Sequence, residues 1–138
     1  MRQPARQLRN MLITALAVLS ALPAPSRADI YVIANAAMTV GADDIKLIYT
    51  GDKEFIGPIK VKPLDNHAAQ SEFLGKVLQL NANRYDSLWT MKCFRDGLSA
   101  PVAKANDGEV IAYVQSTPGA IGYITVAPPP GVTVLKKF

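Results

Sequence analysis

One cysteine, one histidine and one tryptophan are all that this chain of 138 residues holds of those three types. With only Cys93, no internal disulfide can form. One histidine and one cysteine without spaced partners also fall short of the four ligands of a structural zinc site, so no metal is expected. Hydrolysis through Ser or Cys needs a base within reach and a third group to orient that base. His67 is the sole imidazole, and no Gly-x-Ser-x-Gly elbow accompanies it. The adjacent Asp43 and Asp44 are explained by the positive end of a helix dipole. The chain is therefore not expected to be an enzyme or to carry a cofactor.

An excess of one charge is missing as well, once its source is located. The formal charge of +4 comes from 15 basic against 11 acidic residues, and Arg2, Arg6, Arg9 and Arg27 account for the whole excess. Those four belong to an N-terminal segment with the order of a secretory leader: a basic start, an apolar run over residues 11–22, and small residues at Ser26 and Ala28. The apolar run is shorter than the roughly 20 residues a membrane span needs. Residues 1–28 are read as a cleavable signal peptide, residues 29–138 as one mature domain, and the destination as the periplasm. The mature part carries no net charge and no basic patch with interleaved aromatics, so neither nucleic acid nor anionic lipid is indicated, and no membrane span is expected after signal removal. Its 110 residues allow one modest core.

Within that domain the pattern alternates between strands and helices. Residues 29–34 (DIYVIA) are apolar on both faces, as a buried strand is. Asp43 and Asp44 open a helix with Ile45, Ile48 and Tyr49 as its buried stripe and Gly51 at its C′ position. Residues 59–64 read as a strand, where Pro63 argues for an edge or a strand end. Residues 65–70 read as a loop, with Asp65 as the cap of a helix that carries Phe73, Leu74, Val77 and Leu78. In the next helix Tyr85, Trp89 and Cys93 fall at i, i+4 and i+8, which predicts a buried cysteine. Arg95 lies at the end of that helix, where the dipole or Asp96 would hold it, and residues 99–104 read as a loop. Residues 132–135 read as a final edge strand, guarded by Lys136 and Lys137.

Residues 109–124 (EVIAYVQSTPGAIGYI) organise the rest. Asn106 as N-cap and Glu109 at N3 start a helix with Val110, Ile111 and Val114 on its stripe. Pro118 drives Thr117 out of the helical region, and Pro118-Gly119 suits the centre of a type II turn. In the strand that follows, Gly122 lets a neighbouring element approach closely. The run from Val110 through Thr117-Pro118-Gly119-Ala120-Ile121-Gly122-Tyr123 resembles the closing signature of phosphate-type periplasmic solute-binding proteins, the substrate-binding components of phosphate ABC transporters. Leu88-Trp89, Phe94, Gly97 and Pro101 sit at spacings similar to that family's, and residues 45–51 (IKLIYTG) resemble the helix before its second lobe. The resemblance implies an α/β fold: one three-layer-like lobe of a type II periplasmic binding protein, with a mixed β-sheet flanked by helices.

The same resemblance implies a departure. Where that family carries an Arg and a Ser-Gly-Thr run around the anion, no Arg, Ser, Thr or Gly lies between Lys62 and Ser71. What remains for binding an anion is Asn66, His67, Gln70 and, from another helix, Arg95. The expected function is that of a solute-binding-protein-like domain with a degenerate phosphate loop, holding phosphate or another small oxyanion weakly. The alternative is a non-catalytic accessory module that kept the lobe and lost the ligand. Expected partners are an ABC transporter permease, a second lobe supplied in trans, or another envelope protein.

Overall fold

The computed structural model describes residues 28–36 and 38–138; the expected signal peptide lies outside them except for Ala28. A five-stranded mixed sheet forms the middle layer, in the order β5-β4-β6-β1-β7. Its strands are β1 (Tyr31–Asn35), β4 (Lys62–Asn66), β5 (Val102–Lys104), β6 (Ala120–Ile124) and β7 (Val132–Lys137). A two-stranded hairpin, β2 (Phe55–Ile56) with β3 (Ile59–Lys60), leads into β4. β4 is parallel to both β5 and β6, while β1 runs antiparallel to both β6 and β7.

Side-chain alternation along the strands decides which helices cover which face. Val32 and Ala34 of β1, with Ile121 and Tyr123 of β6, pack against α1 (Ala42–Tyr49), α2 (Gln70–Phe73) and its π-helical extension (Leu74–Leu78), and α3 (Ala82–Asp96). Ile33, Leu64, Ala120 and Ile124 point the other way, onto Val110 and Val114 of α4 (Asp107–Ser116). The result is the expected mixed sheet between helical layers. The interior position of β1, between β6 and β7 and with Val32, Ile33 and Ala34 all inaccessible, explains why residues 29–34 are apolar on both faces.

The corner around Pro118 follows the sequence expectation closely. The Asn106 side chain accepts the Glu109 N–H at 3.1 Å, and Glu109 Oε2 accepts the N–H of Ala105 at 2.8 Å. Thr117 is extended, Gly119 has φ +83°, and Ala120 N–H donates to Thr117 O at 3.2 Å, closing the turn. At Gly122 the two layers meet: a Cβ there would lie 2.5 Å from Val110 Cγ1. Helix α4 sits against the sheet because that side chain is absent.

Three local expectations need correction. Residues 59–64 do not form one strand; the hairpin's second arm ends at Lys60 and β4 begins at Lys62. Pro63 does lie at a strand end, here the start of interior strand β4, and it is tolerated because β5 pairs with β4 only from Leu64 onward. Within 99–104, Val102–Lys104 is a strand, drawn into the sheet by parallel pairing with β4. Cys93 is exposed, because the face of α3 that meets the core ends with Tyr85 and Trp89. Past that point α3 projects beyond its support, and Phe94 is 90% exposed.

Candidate functional site

β4, β5 and β6 run parallel, so their carboxyl ends share one edge of the sheet, with Asn66 in register with Lys104. α2 and α4 both start at that edge. In open α/β sheets ligands bind in the crevice outside the carboxyl ends, and free N–H groups at helix starts favour anions there. The edge is therefore where a solute site would be built in this fold.

Two residues at the edge are committed to the protein itself. Asn66 is fully buried; its Nδ2 donates to Asp107 Oδ1 at 2.6 Å and to the Tyr123 carbonyl at 3.0 Å, and its Oδ1 accepts the Ala68 N–H at 3.2 Å. Both amide hydrogens are used, so Asn66 has no donor left for an external anion. Asp107, the first residue of α4, gathers three further donors on Oδ2: Thr125 N–H at 3.0 Å, the Thr125 hydroxyl at 2.7 Å and Val126 N–H at 3.2 Å. Burial works against its charge, but the hydrogen bonds from Thr125, Asn66 and Val126 outweigh that and hold its pKa below the usual carboxylate value. Asp107 occupies this edge as a built-in anion.

The other anion-site candidates are scattered. His67 is exposed, and its backbone N–H donates to Lys104 O at 2.8 Å. Gln70 is the half-buried first residue of α2. Arg95 does not join them. It lies in the last turn of α3, which ends beside the amino ends of β4 and β5, and its guanidinium makes a two-point contact with Asp96 at 2.9 and 3.2 Å. Lys104, the basic residue that β5 brings to the edge, sits over the Tyr113 ring at 4.7 Å from its centroid. Among the described residues no group of three or more His, Cys, Asp or Glu side chains could hold a metal ion.

Asp65 is not a helix cap. It lies within β4, is 5% exposed, and accepts hydrogen bonds from the hydroxyls of Tyr85 and Tyr123, both at 2.9 Å. Loss of water raises its pKa, the two phenols counteract that, and the neighbouring charge of Asp86 adds to the rise. Tyr123 in turn stacks on Phe73 at 3.8 Å between ring centroids, with Tyr49 edge-on to both. The carboxylate is the polar centre of an aromatic core. Sequence reasoning missed both carboxylate roles: it gave Asp107 none, and the phenols that meet Asp65 lie 20 and 58 residues away along the chain.

No family model matches the sequence, and no curated protein matches it. Solved structures do. The chain is similar to an ABC-type phosphate transport receptor from Vibrio cholerae, with 13% identity and a TM-score of 0.50 over 80% of this chain and 47% of that one. It is also similar to a phosphate ABC transporter substrate-binding protein, with bound phosphate, from Clostridium perfringens (19% identity, TM-score 0.48, 80% of this chain and 46% of that one). PstS from Borrelia burgdorferi matches at 15% identity and TM-score 0.41 over 70% and 41%. The chain spans about half the length of these proteins. The first match carries the likeness, which is one of fold: the mixed α/β lobe is an architecture found in phosphate-binding components of ABC transporters.

Proposed function

We propose that this domain is a periplasmic solute-binding-protein-like lobe, related to the substrate-binding components of phosphate ABC transporters, whose oxyanion site is filled from within. The observation that carries this reading is the Asp107 carboxylate and the four donors converging on it from Asn66, Thr125 and Val126. Charge-assisted bonds of this kind are what a bound oxyanion would need, and here they are already made. What remains at the edge for a phosphate is His67, Gln70 and Lys104, the last already over the Tyr113 ring, beside a fixed negative charge. Asn66 and Arg95, already bonded within the protein, are left as supporting parts of the fold. No catalytic role is assigned to the domain.

The expected result is that the protein, stripped of phosphate, binds free phosphate with a dissociation constant of about 1 mM or weaker, since losing several charge-assisted bonds removes about 1.5–3 kcal/mol each. Isothermal titration calorimetry measures this directly. Affinity in the micromolar range would show that the edge still functions as a phosphate site and would overturn the reading. The proposed export has its own check: the intact mass of the secreted protein should correspond to a chain starting at Asp29, and a mass retaining residues 11–22 would contradict it.

One observation favours the accessory-module alternative. Phe94 is 90% exposed near the end of α3, and Val102 is an exposed apolar residue on edge strand β5, both places where a protein partner could pack. A permease, a second lobe in trans or another envelope protein are the partners this alternative contemplates. If phosphate affinity rises only when such a protein is added, the site is shared between chains.

A further inference from the structure

Away from the Asp107 edge, at the amino ends of β4 and β5, a cleft of about 310 Å³ opens between the β2–β3 hairpin, the first residues of β4 and the loop joining α3 to β5. Its floor is apolar, lined by the buried residues Ile48, Val61 and Trp89. Pro63 contributes to keeping it so. The Lys62 N–H donates to Gly119 O on the β6 side, at 2.8 Å. Successive strand amides point to opposite sides, so an N–H at position 63 would face the β5 side, one residue before the pairing with β5 begins. Proline removes that donor, and no orphan N–H is left on the β5 side of the strand.

The mouth of the cleft is cationic. Lys53, Lys60 and Lys62 line it against the single carboxylate of Glu54. Lys53 is held by Asp44 at 2.7 Å, whereas Lys60 and Lys62 enter no ion pair among the described residues. An apolar floor under two uncommitted ammonium groups complements a molecule with a short apolar body and one negative end. The volume falls at the lower end of the range of about 300–1,000 Å³ typical of small-molecule sites. We propose that this cleft binds a small amphipathic carboxylate, its apolar body against Trp89 and its carboxylate between Lys60 and Lys62. The site is separate from the Asp107 edge and independent of whether that edge binds phosphate.

Trp89 is the only tryptophan in the chain, so its emission reports on occupancy of the cleft. The test titrates the protein with octanoate, with octan-1-ol as the neutral counterpart and inorganic phosphate as an anion without an apolar body. Octanoate is expected to give a saturable change in Trp89 emission with a dissociation constant below about 1 mM, with octan-1-ol weaker by at least about tenfold and phosphate without effect. Lys60→Ala combined with Lys62→Ala, both at exposed positions, should weaken octanoate by about tenfold or more while the unfolding midpoint stays unchanged. Ala100→Phe, at an exposed position lining the cleft, should fill it and abolish the signal. The proposal is overturned by absence of saturation up to about 10 mM, by equal affinity for octan-1-ol, or by octanoate binding that survives both variants.

Discussion

Asp65→Ala should destabilise the fold by about 2–4 kcal/mol, because the buried hydroxyls of Tyr85 and Tyr123 both lose their acceptor and each unsatisfied group costs about 1–3 kcal/mol. Part of that loss is offset, since the substitution also removes a carboxylate whose charge is disfavoured by burial. Asp65→Asn should be far milder, within about 1 kcal/mol, because the amide oxygen accepts from one phenol and the amide nitrogen donates to the other. Denaturant unfolding followed through Trp89 separates the two variants. A loss below about 1 kcal/mol for the alanine variant would mean that the aromatic core does not depend on this acceptor.

The pH dependence follows from the sign of the shift. The folded-state pKa of Asp65 is raised, so the protonated form is the one favoured by folding. Its contribution is fully present below the unfolded carboxylate value of about 3.9 and is lost as pH rises through the folded value. Asp107 behaves oppositely: its pKa is lowered, so its contribution is present above the unfolded value and is lost as pH falls through the folded one. Asp65→Asn should remove the first of these slopes and leave the second in place.

The second large effect is expected at Gly122. A methyl group there would lie 2.5 Å from Val110 Cγ1 and 3.5 Å from Val114 Cγ2, with Leu64 Cβ at 3.8 Å on another side. Gly122 does not have a positive φ, so the penalty of Gly122→Ala is steric rather than conformational. Overpacking of this kind costs about 1–3 kcal/mol, because α4 must move away from the sheet. Adding Val110→Ala should make the Gly122→Ala step much cheaper, giving a favourable coupling between the two sites of at least about 0.5 kcal/mol. Additive losses in that double-mutant cycle would show that the contact between α4 and β6 is not what Gly122 serves.

Local chemistry was legible in the sequence wherever one residue type has few uses. Thr117-Pro118-Gly119 predicts an extended residue, a fixed φ and a left-handed φ, and the turn is found there. Asn106 and Glu109 mark the start of α4, Gly51 follows α1 with φ +77°, and the doubly apolar run in residues 29–34 identifies a strand covered on both sides. The lobe itself was suggested by the resemblance of residues 45–51 and 110–123 to phosphate-type solute-binding proteins. Position along a chain, by contrast, says little about which surface a side chain meets. Cys93 shares the helical spacing of Tyr85 and Trp89, yet only tertiary packing decides where α3 leaves the sheet, and Cys93 lies beyond that point.

The polar residues divide in the same way. That residues 63–70 lack the Arg, Ser, Thr and Gly of an anion loop is a property of composition, complete in the sequence itself. How the acids around that segment are used is not. Asp65 and Asp107 are both ordinary acids near helix starts when read along the chain. Parallel pairing of β4 with β5, which sets Asn66 opposite Lys104, brings Asn66 and Asp107 together from 41 residues apart, and the turn of the chain after β6 delivers Thr125 and Val126 to the same carboxylate. One acid thereby becomes the centre of the sheet edge and the other the centre of an aromatic core. The hydrogen bonds that make this difference are all long-range, formed only when the sheet closes, and no local pattern encodes them.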